Sequence, residues 1–491
     1  MTAEHFDVLI VGAGLSGVGA GVHLSERCPG KSFVILEGRP AMGGTWDLFR
    51  YPGVRSDSDM HTLGYRFKPW REAKAIADGP SILSYIRDTA SQYGVDRHIR
   101  YQHLARKADW SSADAAWTVE AEDKTTGQTR IFTCNFLFMC SGYYSYREGH
   151  LPEFSGIERF KGQIVHPQKW PETLDYKGKK IVVIGSGATA VTLVPAMADE
   201  AAHVVMLQRS PTYIVSRPDK DAIANRLRAV LPERWAYAIT RWKNVAFQQF
   251  IYRRSRTQPE KVKKTLLGMV KKELPNYDVA THFTPRYNPW DQRLCLVPNG
   301  DLFKAIRSGK ASVATDRIES FDETGIKLGS GKHLDADIIV TATGLNVVVL
   351  GEMKFTVDGA AVDVAKTWTY KGMMYSGVPN LVSTFGYINA SWTLRADLTS
   401  EFVCRLINHM DKTGTRQVTP RLRPDDANMP GRAFIDNFSS GYIQRVKDRF
   451  PSQGDRAPWS NPQNYTADKK MIRHGRLEDG ALIFDNRAAP A

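Results

Sequence analysis

Two glycine-rich turns constrain the fold of this chain more than any other feature of its sequence. The first, Gly12-Ala-Gly14-Leu-Ser-Gly17, follows an apolar run at 7–11 and precedes a small-residue segment and a second apolar run at 32–36. A strand, a glycine turn, a helix and a returning strand make a βαβ unit, whose turn holds a dinucleotide pyrophosphate at the N-terminus of the helix. The start of the chain is therefore predicted to bind a dinucleotide.

Each glycine of the first turn has its own task in such a unit. Gly12 allows the tight turn, Gly14 lets the backbone approach the pyrophosphate, and Gly17 lets the helix pack closely on the strand. Glu37 follows Gly17 by 20 positions and is placed to accept the hydroxyl groups of an adenosine ribose. Together with the predicted strands and helix, these residues indicate an FAD site.

A second βαβ unit is predicted around Gly185-Ser-Gly187-Ala-Thr-Ala190, with strands at 180–184 and 203–207. Its second strand ends in Gln208-Arg209-Ser210, without the acid of the first unit. A guanidinium suits the 2′-phosphate of NADPH, and a plain surface charge is the alternative for Arg209. The residues predicted to bind NADPH are Gly185, Gly187, Thr189, Ala190, Arg209 and Ser210.

The composition of the 491 residues is that of a globular enzyme, with 42% hydrophobic residues. No window reaches the roughly 20 continuous apolar residues of a transmembrane helix. The first strand begins too early to leave room for a secretory signal, which predicts a cytoplasmic protein. The five cysteines lack C-x-x-C spacing, so we expect reduced structural thiols, no metal site and no dithiol chemistry.

Positive charge is concentrated in one part of the chain. The net charge is +14, and many Lys and Arg residues lie within 217–272 among apolar residues such as Trp235 and Trp242. This pattern predicts basic amphipathic helices, which either present a solvated face with packing aromatics or contact a membrane surface or a partner. Nucleic acid is not an expected partner, because no nucleic-acid-binding motif accompanies the charge.

Two longer strings lie beside the glycine turns. Residues 43–57, GGTWDLFRYPGVRSD, fit the pattern [A/G]-G-x-W-x-x-x-x-[F/Y]-P-G-x-x-x-D, and residues 160–171, FKGQIVHPQKWP, fit F-x-G-x-x-x-H-x-x-x-W-P. Both patterns are typical of the Baeyer–Villiger monooxygenases, and the chain resembles this family from Phe6 to about Phe484. The stretch YNPWDQRLC at 287–295 is most similar to the subgroup that contains the ethionamide-activating enzymes.

The resemblance implies a flavoprotein that uses FAD, NADPH and O2 to convert ketones to esters or lactones through an oxygen adduct of the reduced flavin. It also implies oxidation of sulfides or thioamides. By the same resemblance Asp57 faces the flavin ring, although a turn aspartate would be the ordinary interpretation of that residue alone. The residues implied to lie along the flavin are Gly44, Thr45 and Trp46.

The stretch at 285–301 resembles the region where the family places its active-site arginine, so the resemblance implies that Arg293 is this residue and that Asp57 holds it in place. A permanently cationic guanidinium suits the stabilisation of a peroxide and of a developing oxyanion. Arg286, in the same proline-punctuated loop, is the competitor that the sequence leaves open. Phe385, Tyr387 and Trp392, with Met373 and Met374, are candidate pocket residues, although core packing explains such residues more often.

The string at 160–171 is predicted to act as a hinge rather than as catalytic machinery. His166 is attractive as a general base, but its place in an interdomain linker argues against that role. A satisfied structural histidine is the alternative. The predicted hinge residues are Phe160, Gly162, His166, Trp170 and Pro171.

The predicted fold is α/β, with two Rossmann-like dinucleotide-binding domains for FAD and NADPH and a helical insertion in the NADPH domain. The predicted limits are 1–145 for the first part of the FAD domain, 146–216 for the first part of the NADPH domain with its linker, 217–280 for the basic helical insertion, 281–380 for the second part of the NADPH domain, and 381–491 for the second part of the FAD domain and the tail.

Two rival functions stay open at this point. A flavin N- or S-oxygenase would share both glycine turns but carry a different linker string. A non-catalytic nucleotide-binding protein that docks on a membrane through its basic helices would be colourless when purified, whereas a flavoprotein would be yellow. The expected partners of the favoured function are a ketone or sulfur-containing small molecule and O2. The helices of 217–272 are the candidate for a peripheral membrane contact, with a solvated face as the favoured alternative.

Overall fold

The computed structural model describes residues 3–436 and 438–485, and two β-sheets form its framework. Within these residues the larger sheet has nine strands, parallel around Glu4–Val11 and antiparallel from His103–Ser111 to Thr129–Met139. Their spatial order is Ala360–Ala361, Lys354–Val357, His103–Ser111, Ala116–Asp123, Thr129–Met139, Glu4–Val11, Phe33–Leu36 and Ile99–Arg100, with Leu381–Ser383 also paired to Thr129–Met139.

The smaller sheet is parallel throughout its described strands, and each strand is nearly continuous in apolar residues, as expected where both faces are buried. Its spatial order is Ala311–Thr315, His203–Gln208, Lys180–Ile184, Ile338–Thr341 and Gln163–Val165. Smaller pairings join Ile214–Arg217 with Cys295–Pro298, Ile318–Phe321 with Gly325–Leu328 and His333–Asp335, Tyr144–Gly149 with Leu345–Val347, Thr369–Tyr370 with Met374–Tyr375, Gln417–Pro420 with Leu482–Asp485, and Arg432–Ala433 with Ser452–Gln453.

Helices cover both sheets. The α-helices are Leu15–Arg27, Thr45–Leu48, Met60–Leu63, Gly79–Gln92, Ala188–Met197, Ala222–Val230, Glu233–Thr257, Pro259–Glu273, Val279–Phe283, Asp301–Arg307, Trp392–Thr413, Gly441–Gln444 and Tyr465–His474. Short 3-10 helices are Asp96–His98, Ile157–Arg159, Pro167–Lys169, Leu350–Glu352, Val364–Lys366, Pro424–Asp426 and Lys447–Arg449.

Both predicted βαβ units are present. In the first, Glu4–Val11 leads through the glycine turn into Leu15–Arg27 and returns as Phe33–Leu36, with Val11 opposite Leu36 in a parallel pair. In the second, Lys180–Ile184 and His203–Gln208 flank Ala188–Met197 in the same way. The two units sit in different sheets. The predicted α/β fold with Rossmann-like units is therefore confirmed.

The basic segment forms helices, as its pattern predicts. The 25-residue helix Glu233–Thr257, hereafter the long basic helix, packs one face against residues 61–64. On that face Arg241 is buried, donates to the carbonyl oxygens of His61 and Gly64 at 2.9 and 2.8 Å, and lies 3.3 Å from the carboxylate of Asp397. A buried charge needs such a partner, so this face is fixed in place.

The chain rejoins the larger sheet before the predicted boundary at 381, because Lys354–Val357 pairs in parallel with His103–Ser111. Sheet membership favours a boundary near residue 350, and the division into domains otherwise remains a prediction. The turn Ala342-Thr343-Gly344 follows the strand Ile338–Thr341 of the smaller sheet, and Gly344 has φ +105°.

Among the described residues, no helix combines the length and apolarity required to span a bilayer. All five cysteines are buried and unbridged. Burial raises the pKa of the Cys140 and Cys295 thiols to about 12, so both stay protonated near neutral pH. The predicted reduced, structural role of the cysteines is consistent with this environment.

Candidate active site

A cavity of about 930 Å³ runs between the two glycine turns. This volume is near the upper end of the range for small-molecule sites, about 300–1,000 Å³. Its wall includes residues of both turns, the loop at 43–58, the loop at 292–296 and the turn at 342–345. One cavity is therefore shared by the two βαβ units.

The first turn leaves bare backbone facing this cavity. Gly12 has φ +101°, and a Cβ atom there would lie 2.6 Å from the carbonyl oxygen of Cys140, so folding itself requires glycine. Gly14 differs: its φ of −77° suits any residue, and a Cβ atom there would meet the Cα atom of Gly44 at an ordinary 3.5 Å. The turn itself does not require glycine at position 14. The absence of a side chain there instead leaves space in the cavity, which would suit a bound pyrophosphate.

Glu37 lies buried in the cavity wall at the end of the second strand. Its carboxylate oxygens accept hydrogen bonds from the backbone N–H groups of Ala13 and Arg39, at 2.8 and 2.9 Å. Burial raises the pKa of Glu37, and these two bonds oppose that rise. Each carboxylate oxygen can accept more than one hydrogen bond, so acceptor capacity remains for ribose hydroxyls.

The residues of the string at 43–57 lie where the first turn meets the cavity. Gly44, Thr45 and Trp46 are all in the wall. Asp47 beside them is buried and pairs with Arg39 at 2.7 Å, with Arg50 at 2.9 Å and with Arg87 at 3.2 Å. This cluster of charges anchors the loop, a function that the sequence pattern did not reveal because position 47 is variable in it.

The second turn has the same construction. A Cβ atom on Gly185 would lie 2.4 Å from the carbonyl oxygen of Ala342, whereas one on Gly187 would meet no atom within 4 Å. Thr189 is in the wall, and Ala190 is buried beneath it in place of the third glycine. As at Gly14, Gly187 lies in the cavity wall at a position where the backbone conformation does not require glycine.

The strand end that is predicted to select NADPH lies partly in this cavity. Ser210 is in the wall, and its carbonyl oxygen accepts a hydrogen bond from the hydroxyl of Ser186 at 3.1 Å. Arg209 is exposed at the end of His203–Gln208 and lies outside the described wall. Its role in phosphate recognition stays a prediction.

Arg293 and Asp57 meet in the cavity wall. Nη1 of Arg293 donates to Oδ2 of Asp57 at 3.0 Å. Burial disfavours the charge of Arg293, but the neighbouring Tyr442 and Asp57 outweigh it and raise the pKa of the guanidinium well above its ordinary value. Nε of Arg293 is buried without a hydrogen-bond partner among the described residues. This leaves a fixed cation in the cavity wall, with its side chain 32% exposed.

Arg286, the competitor, is exposed and outside the described wall. Of the candidate pocket residues, Tyr387 and Trp392 lie in the wall. Met373 and Met374 belong to the buried core beneath the larger sheet, so core packing, the more common explanation, holds for both. Because core and pocket are both apolar, a methionine in one cannot be told from a methionine in the other by sequence alone.

Aromatic residues near Arg293 were missed by the sequence reasoning. Tyr143 stacks on Trp392 with ring centroids 5.1 Å apart, and its hydroxyl lies 2.5 Å from that of Tyr144. Tyr442 completes this part of the wall. Burial raises the pKa of both Tyr143 and Tyr144, so they remain neutral donors. The adjacent pair at 143–144 and the distant Tyr442 form no sequence motif.

The predicted hinge residues lie along the edge of the smaller sheet, where Gln163–Val165 pairs with Ile338–Thr341, and outside the described wall of the cavity. Phe160 is buried with the apolar cluster around Ile339, and Trp170 packs on the core of the second βαβ unit. A Cβ atom on Gly162 would lie 2.3 Å from the carbonyl oxygen of Asp337, so this position requires glycine. Pro171 is exposed.

His166 is held by local contacts. Its Nδ1 accepts a hydrogen bond from the backbone N–H of Gln168 at 3.1 Å, and its ring packs so closely on Gly149 that a Cβ atom there would lie 1.9 Å from Cε1. The side chain of Gln168 in turn donates to the carbonyl oxygen of Ser145 at 2.7 Å. Burial lowers the pKa of His166, which therefore stays neutral near pH 7.

Two dinucleotide-binding units that share one cavity, with a fixed cation in its wall and inert thiols beside it, define an oxidoreductase with two nucleotide sites. Comparison with known proteins identifies the family. Residues 75–374 match the flavin-binding monooxygenase-like family, and residues 10–77 match an NAD(P)-binding Rossmann-like domain. The chain belongs to the flavin-binding monooxygenase family.

Relatives share nearly the whole length of the chain. It is 57% identical to the FAD-containing monooxygenase EthA of Mycobacterium tuberculosis, over 99% of both chains. It is 50% identical to the probable FAD-binding monooxygenase AlmA of Acinetobacter baylyi, over 99% of this chain and 97% of that one. The flavoprotein monooxygenase class predicted from the sequence is confirmed.

Solved structures agree in fold. A steroid monooxygenase bound to NADP superposes with a TM-score of 0.77 at 22% identity, covering 98% of this chain and 99% of that chain. A cyclohexanone monooxygenase from Rhodococcus bound to NADP+ superposes with a TM-score of 0.71 at 18% identity, covering 86% and 87%. At this identity the likeness establishes the architecture.

Proposed function

We propose that this protein is an FAD-dependent Baeyer–Villiger monooxygenase, which converts a ketone, O2, NADPH and a proton to an ester or lactone, NADP+ and water. The observation that carries the proposal is the Arg293–Asp57 pair in the wall of a cavity that reaches both glycine turns. Flavin N- and S-oxygenation does not need a cation that binds a carbonyl oxygen. The arginine therefore favours ketone oxygenation.

The described residues fit both cofactors. The bare backbone at Gly14 and the carboxylate of Glu37 suit the pyrophosphate and ribose of FAD, and Gly187 offers the same space to NADPH. Bound FAD supplies the redox chemistry: it takes a hydride from NADPH and activates O2. Arg209 at the end of the second unit would select the 2′-phosphate of NADPH.

Arg293 acts on the ketone. The carbonyl oxygen gains negative charge as the carbonyl carbon is attacked, and a guanidinium placed beside it stabilises that charge more than it stabilises the ground state. The Arg293 side chain is 32% exposed at the cavity wall, so guanidinium N–H groups beside the bond to Asp57 are available for this purpose. Asp57 positions the guanidinium through the 3.0 Å hydrogen bond and keeps its rotamer fixed.

The aromatic wall would limit water at this centre once cofactors and substrate fill the cavity. Tyr143, Tyr144, Trp392 and Tyr442 surround the arginine with apolar rings. Removing water strengthens the interaction between the guanidinium and the developing charge, because the local dielectric constant falls. The same wall would accept a sulfide or thioamide, whose oxidation at sulfur needs no contact with Arg293.

The linker at 160–171 serves as the hinge between the nucleotide units. Phe160 and Trp170 pack in the apolar clusters on the two faces of the smaller sheet, and His166 and Gln168 tie its middle to the strand Tyr144–Gly149. A rotation about this segment would change the distance between the two glycine turns.

We place the enzyme in the cytoplasm, with peripheral membrane contact through the basic helices.

Product analysis of the purified yellow protein tests the proposal. The protein is incubated with NADPH, O2 and a panel of linear, cyclic and aryl ketones and one thioether, and products are separated by gas chromatography. Esters or lactones are the expected products. Sulfoxide from the thioether with no ester from any ketone would replace the proposal with a heteroatom oxygenase.

A further inference from the structure

One side of the long basic helix exposes a row of large apolar residues. Counted from Trp235, the spacing is 4, 7 and 15 positions, which places the residues on one face of an α-helix. The opposite face is buried through Tyr237, Thr240 and Arg241. The row, called the apolar stripe, consists of Trp235, Ile239, Trp242 and Phe250, which are 58%, 40%, 72% and 56% exposed.

The apolar stripe is surrounded by cations. Residues 222–273 contain 13 Lys and Arg against three Glu, so this segment carries +10 of the net charge of +14. Arg234 lies 5.8 Å from the ring centre of Trp235, and Arg254 lies 6.0 Å from that of Phe250. Val230 at the end of the preceding helix is also exposed and extends the apolar surface.

We propose that the apolar stripe docks on an anionic lipid bilayer. Tryptophan is favoured at the boundary between lipid headgroups and acyl chains, and a rim of Lys and Arg is attracted to lipid phosphates. A second copy of this chain fits the same face poorly, because a twofold contact would bring two segments of charge +10 together. Exposed tryptophans in such a rim are costly in water unless a surface covers them.

Docking by this face would place the long basic helix between the membrane and the loops that carry Asp57 and Arg293. On the inward side of the same helix, Asn244 and Gln248 donate to the carboxylate of Asp59 at 2.8 and 3.2 Å. Further along, Arg256 pairs with Asp291 at 2.5 Å. Asp59 and Asp291 each lie two positions from a member of the Asp57–Arg293 pair.

The substrate class follows from this geometry and rests on the proposed function. A helix that contacts lipid outside and both active-site loops inside would deliver ketones that partition into the bilayer. The natural substrate is then an apolar ketone with a long chain or a fused ring system, rather than a small water-soluble ketone. The reaction itself is unchanged.

Vesicle flotation tests the docking. The FAD-loaded enzyme is mixed with vesicles of phosphatidylglycerol and phosphatidylcholine or of phosphatidylcholine alone. We expect binding to the anionic vesicles, and a loss of roughly tenfold in affinity for the double variant Trp235→Ser, Trp242→Ser. Ile239→Ser should also weaken binding, whereas Ile483→Ser, at a matched exposure of 42% on the strand Leu482–Asp485, should not.

Three results would overturn the docking proposal: no binding to anionic vesicles, equal binding by the double variant, or light scattering that shows an oligomer which the double variant dissociates. The last would assign the apolar stripe to a contact between copies. Circular dichroism and flavin content of each variant show whether it is folded. Ile239→Ser alone keeps the test valid if the double variant does not fold.

Activity assays test the substrate class separately. For the double variant we expect kcat/KM to fall roughly fivefold or more for a long-chain ketone held in anionic vesicles, and to stay unchanged for a soluble ketone. Equal activity of variant and wild type on the vesicle-held ketone would overturn the substrate class. Vesicle binding without ester from any ketone would refute the proposed function and leave the docking surface intact.

Discussion

The guanidinium of Arg293 donates to the carboxylate of Asp57 at 3.0 Å, across a separation of 236 positions in the chain. Asp57 ends the loop that follows the first βαβ unit, and Arg293 lies in a loop that follows the second and its basic helices. The contact therefore joins the two nucleotide units at the wall of their shared cavity. Several consequences can be measured.

Replacing Arg293 should separate flavin reduction from oxygen transfer. In Arg293→Ala, NADPH should still bleach the flavin at nearly the wild-type rate, because the glycine turns are untouched. Ester formation should fall by about 10²–10³-fold, the usual cost of removing a donor to a developing oxyanion. Stopped-flow absorbance and gas chromatography measure the two steps. Arg286→Ala, an exposed arginine of the same loop, should change neither; an active Arg293→Ala would contradict the assignment.

Replacing Asp57 should act through the arginine. Asp57→Ala should lower kcat for ester formation with little change in the KM for NADPH, because the guanidinium loses its fixed position. In a double-mutant cycle with Arg293→Ala, the two losses should be far from additive, as for residues in one network. Additive losses would mean that Asp57 has a separate role.

Replacing Arg209 should alter the choice of nucleotide. Arg209→Ala should raise the KM for NADPH by roughly tenfold and leave that for NADH nearly unchanged, since only NADPH carries the 2′-phosphate. Steady-state kinetics with both nucleotides measure the ratio. Arg307→Ala, a partly exposed arginine paired with Glu273, serves as the control. Equal changes for the two nucleotides would exclude phosphate recognition by Arg209.

Two glycine variants should distinguish the nucleotide sites. Gly14 and Gly187 both have a backbone conformation open to other residues, at φ −77° and −81°, so a valine at either tests space for a ligand rather than strain. Gly14→Val should be folded and colourless. Gly187→Val should be yellow and should bind NADPH weakly. Absorbance spectra and NADPH titration decide; a fully yellow Gly14→Val would refute the FAD assignment.

Acid should remove one contribution to stability that comes from a buried ion pair. Burial raises the pKa of Asp397, but the hydrogen bond to His23 and the charge of Arg241 outweigh it, and the net pKa is lowered. Because the pKa of Asp397 is lower in the folded protein than in the unfolded chain, its ionised form stabilises the fold at pH values above about 3.9, the pKa of an aspartate in the unfolded chain. This stabilisation is lost as the pH falls through the pKa of Asp397 in the folded protein.

Asp397→Asn leaves Arg241 buried without its counter-charge and should cost about 3 to 5 kcal/mol at neutral pH. Thermal melting at a series of pH values should show the wild type losing this advantage below about pH 4. Asp199→Asn, on an exposed pair with Lys310, should melt like the wild type throughout. A pH-independent gap between Asp397→Asn and wild type would contradict the lowered pKa.

The elements that could be predicted from the sequence were those defined by local pattern. The strands at 7–11 and 180–184, the helices after Gly14 and Gly187 and the helices of the basic segment all have a short-range signal in glycine placement or apolar spacing. The return to the larger sheet at Lys354–Val357 has none, because four residues of mixed polarity reveal neither a strand nor its partner. For a similar reason the sequence could not decide between core and pocket for Met373 and Met374.

By itself the sequence determined the class of the protein, since two glycine turns and two fixed strings require specific residues at specific positions. Tertiary structure decided which distant residues meet. Only the packing of the two units places Arg293 rather than Arg286 beside Asp57, and adds Tyr143, Tyr144 and Tyr442 to the same wall. A sequence motif reflects contacts within one segment of the chain. A cavity between two units depends instead on how surfaces from distant parts of the chain pack together.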